Sequence, residues 1–269
     1  MRPKGRSWLI CALSVFLALE CAGAMGAEAD GTVWNIGAPD GSYRELAIAG
    51  DYSAYPESFP EDVTYDVATS SPGQDWSYIH PGPDDAWAGT TTHPFTITFR
   101  RPQAREVGYA LDIRLVNIQP SAPVLRVNIN GHTTQRNLPA GVDNAAPAPD
   151  DSVKRHTVRV PFSGSLLESG KNTVTLTIKR GSWIIYDSVS LKTAPSARSG
   201  TDIASIALEP TVLLKKQDGS LRRVLDIVVD NRGAPTDGTV TVETTGERLT
   251  NDLKDIGFGR SRFHLSGPR

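Results

Sequence analysis

Residues 124–132 read VLRVNINGH, and this stretch decides how the rest of the chain is read. Leu125, Val127 and Ile129 fall on one face of an extended segment, with Arg126 and Asn128 on the other. The run closes on Asn130-Gly131, the strongest short hairpin signal. The same alternation recurs outward in both directions. Phe95, Ile97 and Phe99 alternate with threonines in FTITF, and Leu111, Ile113 and Leu115 alternate with Asp112 and Arg114. HTVRVPF sends His156, Val158, Val160 and Phe162 to one face, and NTVTLTI does so with Val174, Leu176 and Ile178. Helical periodicity is nearly absent, and SGSLLESG is the one helical turn expected. Short alternating strands punctuated by Gly, Pro and Asn predict an all-β protein, an antiparallel sandwich or jelly roll.

The chain opens with Arg2, Lys4 and Arg6, an apolar run from Trp8 to Leu19, and small residues ending at Ala27. This is the pattern of a secretory signal peptide over 1–27, which predicts an exported protein, secreted or periplasmic. LALEC also loosely resembles a lipoprotein box with Cys21 acylated. The apolar run is too short to span a bilayer, so no membrane insertion is expected. Cys11 and Cys21, the only cysteines, both lie in this segment. The mature chain therefore has no disulfide framework and must be held by its core. Removing Arg2, Lys4, Arg6 and Glu20 from 28 basic and 30 acidic residues leaves 25 against 29. That balance argues against nucleic acid or an anionic membrane as partner, since both call for clustered positive charge.

LKTAPSARSGTD, at 191–202, reads as a linker. The expected domains are 28–193, a linker at 194–201, and a small β domain at 202–269. In the last, IASIALEPTVLLKK, RRVLDIVVDN and GTVTVETTG supply three strands and no final strand is evident, so it reads as an incomplete sandwich.

Motifs for catalysis are missing: no GxSxG elbow, HExxH, Gly-rich phosphate loop or cysteine cluster is present. The five histidines, His80, His93, His132, His156 and His264, fall in separate loops or strands. The densest chemistry lies in DWSYIHPGPDDAWAG, residues 75–89. Sugars present apolar C–H faces that stack on aromatic rings, and hydroxyls that polar side chains bond. Trp76, Tyr78 and Trp87 supply rings, and His80, Asp84 and Asp85 supply polar groups, so these six are the candidate carbohydrate contacts. The competing reading makes the segment a plug, with Trp76 and Trp87 folded onto the sandwich, Pro81 and Pro83 fixing the turn, and Asp84 capping it. A second candidate is Asp187 in WIIYDSVSLK, which simple alternation puts on the apolar face of Trp183, Ile185, Val189 and Leu191. A carboxylate there must be hydrogen-bonded, paired or bound to metal. It is expected either to fix a nearby turn or to hold a structural Ca²⁺ ion, with Asp40 and Glu45 as further oxygen donors.

Taken in order, WNIGAPDGSYREL (34–46), HPFTITF (93–99), VLRVNINGH (124–132), LLESGKNTVTLTI (166–178) and IIYDSVSLK (184–192) resemble the C-terminal module of polysaccharide lyase family 4, the rhamnogalacturonan lyases. That resemblance covers about 32–193 and implies a jelly-roll domain binding polysaccharide, pectic or related, and a catalytic domain elsewhere as partner. The lyases' own catalytic domain has no counterpart in this chain, so no catalytic residue carries over. The module is also similar to ones placed ahead of glycoside hydrolase regions, and residues from 203 onward resemble an immunoglobulin-like spacer. The leading expectation is an exported non-catalytic carbohydrate-binding module. Its rivals are a lyase or hydrolase in its own right and a structural adhesion module.

Overall fold

The computed structural model describes residues 31–101, 107–148, 151–194, 203–217, 219–244 and 247–266. The expected signal peptide and most of the linker lie outside these residues. Two compact units are present, 29–202 and 203–269.

Among the described residues the first unit contains ten strands: β1 (Thr32–Ile36), β2 (Thr64–Asp66), β3 (Ile79–His80), β4 (Pro94–Arg101), β5 (Gly108–Ile118), β6 (Val124–Ile129), β7 (His132–Asn137), β8 (His156–Ser163), β9 (Gly170–Arg180) and β10 (Ile184–Thr193). They form two five-stranded sheets. One runs β1-β10-β5-β8, with β3 also paired to β10, and the other runs β2-β4-β9-β6-β7. All the pairings are antiparallel except that of β2 with β4. The sheets meet through the inward residues that alternation predicts. Trp34 of β1 packs on Phe99 of β4 with ring centroids 5.6 Å apart, and Tyr186 of β10 lies 5.9 Å from Phe95 of β4. Ile97, Ile113, Val127, Ile129, Val160, Val174 and Leu176 are fully buried between them. This is the sandwich that the alternating strands predict, and its core holds the unit together. SGSLLESG forms a 3₁₀ turn at Gly164–Leu166.

The Asn130-Gly131 turn closes β6 on β7, with Ile129 opposite His132 and both turn residues at positive φ, 47° and 91°. That is the backbone of a primed two-residue turn. Asn130 also ties this hairpin to the next motif. Its side-chain amide donates to Asn172 Oδ1 at 2.7 Å, and Asn172 donates in turn to the carbonyls of Glu168 and Gly170. Asn172 is fully buried, so these bonds satisfy an amide that water cannot reach.

The second unit has β11 (Ile203–Gln217), β12 (Ser220–Asn231), β13 (Thr236–Thr244), β14 (Glu247–Ile256) and β15 (Gly259–Ser266). β11-β12-β15 form one sheet and β13-β14 another, with Ile227, Val229 and Leu265 packed against Val242, Leu253 and Ile256. The expectation of three strands is therefore corrected to five. Asn251 interrupts the apolar row of Leu249 and Leu253, and Asp255 turns the chain at φ 53°, so β14 lacks a clean alternation. β15 carries only Phe263 and Leu265 as large inward residues.

Candidate functional site

The 75–89 segment divides at Gly82. Upstream of it, Trp76, Tyr78 and His80 have no exposed surface. Trp76 sits edge-on to Tyr65 and Phe95 and against Tyr186, with centroids 5.3–6.0 Å away. His80 stacks on Phe95 at 3.7 Å. Its Nε2–H donates to the His93 carbonyl at 2.6 Å, so Nδ1 accepts from the Tyr186 hydroxyl at 2.8 Å. Burial without a countercharge holds the imidazole neutral and lowers its pKa to about 3. Tyr78 donates to the Ala145 carbonyl at 2.9 Å and packs at a tilt against Tyr43, whose hydroxyl donates to the Pro147 carbonyl. The expectation that Trp76, Tyr78 and His80 touch sugar is corrected: each is an interior group with its polar atoms, where satisfied, bonded to protein.

Asp85 is corrected on the same ground. It is buried, accepts the Gly82 amide at 2.7 Å through Oδ2, and accepts the Ser182 hydroxyl through Oδ1. Burial raises the Asp85 pKa above its ordinary value, and the bonds from Ser182 and Gly82 oppose the rise. Capping of the turn thus falls to Asp85 rather than Asp84. Gly82 itself lies so close to the β9–β10 turn that a Cβ would come within 2.3 Å of the Gly181 carbonyl oxygen.

Downstream of Gly82 the chain reaches the surface. Asp84 is exposed, and its carboxylate has no hydrogen-bond or ion-pair partner among the described residues. Trp87, in the turn Ala86–Ala88, is half-buried. Its ring meets Tyr52 edge-on at 5.2 Å and the buried Tyr55 at 6.1 Å. Tyr52 is 41% exposed. Trp87 and Tyr52 therefore form a ledge of two rings, supported from behind by Tyr55. Tyr52 was not among the expected contacts. Its signal is the sequence DYSAYP, where two tyrosines three apart precede a proline that starts a helical turn, Tyr55–Ser58.

Asp187 and Asp40 come together in a separate cleft of about 460 Å³, which Gly41, Arg114, Arg155 and His156 also line. Asp187 is not on the apolar face. The β10–β5 pairing skips it between Tyr186 and Ser188, so it is the extra residue of a β-bulge. The bulge lets Tyr186 keep its core position against Trp76, while Asp187 Oδ1 accepts the Gly41 amide at 2.9 Å. Burial raises the pKa of Asp187, against the bonds from the 40–41 backbone. Asp40 Oδ1 accepts the Ser42 amide and Glu45 accepts the Ala38 amide, both at 2.8 Å. All three carboxylates thus bind the turn that follows β1. Among the described residues no group of three or more His, Cys, Asp or Glu is arranged to hold a metal ion.

A protein-family model described as CBM-like, polysaccharide lyase family 4, domain III, matches residues 32–191. The match spans more than half of the chain, and the chain belongs to that family. Comparison with curated proteins gives no match. Among solved structures, the chain is similar to a calcium-binding mutant of Bacteroides uniformis beta-glucuronidase 2, at 15% identity and a TM-score of 0.25, over 66% of this chain and 22% of that one. A likeness so low says nothing of ligand or mechanism. No helix among the described residues is long and apolar enough to cross a membrane.

Proposed function

We propose that the first unit is a non-catalytic module of an exported polysaccharide-degrading system and that it binds polysaccharide at the Tyr52–Trp87 ledge. The observation that carries this reading is the ledge itself: two rings left partly in water at a braced turn, in a chain of a CBM-like family. A pyranose face stacks on Trp87 or Tyr52, and the exposed carboxylate of Asp84, three residues from Trp87 in the same turn, accepts hydroxyls. Export is supported by the basic and apolar opening at residues 1–27. A partner catalytic domain or protein acts on the polymer that the module holds.

Affinity electrophoresis of the purified chain in gels containing pectic and other polysaccharides tests the reading. Retardation by at least one polymer is expected, with Tyr52→Ala and Trp87→Ala each weakening it roughly tenfold or more. Absence of retardation by any polymer, or release of unsaturated or reducing ends by the chain itself, would overturn it. EDTA is expected to leave retardation unchanged, because among the described residues no group of three or more His, Cys, Asp or Glu is arranged to hold a metal ion; loss with EDTA would restore the calcium expectation for Asp40 and Asp187.

A further inference from the structure

We propose that the cleft between the turn after β1 and the β10-β5-β8 sheet is a second subsite, one that binds a uronate sugar through Arg114 and Arg155. The proposal rests on the carbohydrate reading above, and it concerns residues away from the aromatic ledge.

The sheet places Arg114 between Ser188 of β10 and Thr157 of β8, next to the bulge that displaces Asp187. Arg155 precedes β8 and lies over the turn at Gly41, whose φ is +82°. Its Nε, Cζ and Nη2 atoms stand 3.2–3.3 Å from the point that a Gly41 Cβ would occupy. The absence of a side chain at Gly41 therefore makes room for the guanidinium, while the Gly41 amide holds Asp187.

Some surface arginines have carboxylate partners, such as Arg159 with Asp112, Arg248 with Glu243 and Arg260 with Glu209, while others such as Arg44, Arg100 and Arg180 stand alone on open surface among the described residues. Arg114 and Arg155 share their cleft with two carboxylates, yet among the described residues neither has an ion pair or a hydrogen bond. Asp40 and Asp187 are directed instead to the amides of Ser42 and Gly41. Two unpaired guanidiniums in one concavity suit a carboxylate from outside, which such groups bind by paired N–H donors.

The rest of the lining selects the kind of acid. A carboxylate holds about four lone-pair positions, so Asp40 and Asp187 still accept from hydroxyls after their amide bonds. They would also repel a polyanion such as a phosphate or sulfate cluster. Burial, and then nearby Lys154, lower the His156 pKa, so at neutral pH this ring is a hydrogen-bond donor and acceptor rather than a third cation. Thr157 adds a hydroxyl. The ligand that matches all of these groups carries one carboxylate and several hydroxyls on a single ring. The cleft's volume falls within the ordinary range for small-ligand sites, roughly 300–1,000 Å³.

Isothermal titration of the full chain with trigalacturonate and with its methyl ester tests the proposal, alongside a neutral polysaccharide that the wild type retards. Trigalacturonate is expected to bind about tenfold or more tightly than its ester, and to lose that advantage in the R114Q/R155Q variant and in high salt. The same variant should melt like the wild type and keep the neutral polymer, which Trp87→Ala releases. Gly41→Ala, which displaces Arg155, should weaken the acidic ligand alone. If the R114Q/R155Q variant binds acid and ester as the wild type does, or if the wild type binds only neutral glycan, the cleft assignment fails and the ledge stands. If the wild type binds no glycan at all, both fall.

Discussion

The two halves of the 75–89 segment each carry a Trp and an Asp, and they meet opposite fates. From Trp76 to His80, aromatic and imidazole rings enter the sandwich and become part of its packing. From Asp84 to Trp87, a carboxylate and a ring remain at the surface. The difference arises at β3, which pairs Ile79 and His80 with Ile185 and Ile184 of β10. Once two residues join a central strand, the side chains around them are fixed between sheets. Beyond Gly82 the chain has left the sheet, and its turn has solvent on one side. Residue type alone therefore does not distinguish a ligand contact from a core residue; the neighbouring backbone pairing does.

The contrast is broken most severely by truncating one ring from each half. Trp76→Ala should cost about 3–5 kcal/mol of unfolding free energy, as large core truncations do, while Trp87→Ala should cost much less. Urea denaturation of both variants measures this, and equal losses would show that the halves are not distinct.

His80 provides the next largest effect, through pH. Its folded pKa of about 3 lies below an unfolded value of about 6.5. As pH falls through this interval the unfolded chain takes a proton that the folded chain refuses. The stability contributed by neutral His80 is thus complete above about pH 6.5 and declines toward pH 3, by an amount on the order of a few kcal/mol. Asp85 acts in the opposite sense. Its raised pKa means the folded state holds a proton more firmly, a contribution present in acid and lost as pH rises through the folded value. Stability curves from pH 3 to 7 should show the acid loss in the wild type and a weaker slope in His80→Gln. An unchanged slope in that variant would remove His80 as its source.

Gly82→Ala should have an intermediate effect, about 1–3 kcal/mol, because the new methyl meets the Gly181 carbonyl. It should also shift the turn that carries Trp87 and lower polysaccharide retardation, linking the two halves. The smallest stability change belongs to Trp87→Ala itself, below about 1 kcal/mol, combined with the largest loss of binding. Thermal unfolding beside affinity electrophoresis separates the two quantities.

Much of the sandwich was legible in the chain because alternation reports burial directly. β4, β6, β8 and β9 follow the apolar positions of FTITF, VLRVNI, HTVRVPF and NTVTLTI. The motifs that carry the family resemblance prove to be joined in space. The Asn-Gly hairpin bonds the LLESGKN turn through Asn130 and Asn172, and the Asp-Gly start bonds the YDSVSL strand through Gly41 and Asp187. The site was harder to read. A β-bulge shifts Asp187 off the face that strict alternation assigns, and no local pattern announces a bulge. Tyr52 reaches Trp87 across thirty-four intervening residues, so the ledge exists only after folding. Asp84 and Asp85 are adjacent and chemically identical, and only the position of the Gly82 amide separates the buried one from the exposed one.

Asp85 holds Gly82 and Ser182, and Tyr55 packs edge-on against Trp87, so the ring on the surface is already placed before any ligand arrives. A contact of that kind needs no induced rearrangement. Polymer should therefore associate at a rate governed by encounter, and differences among glycans should be expressed in how long each remains on the ledge.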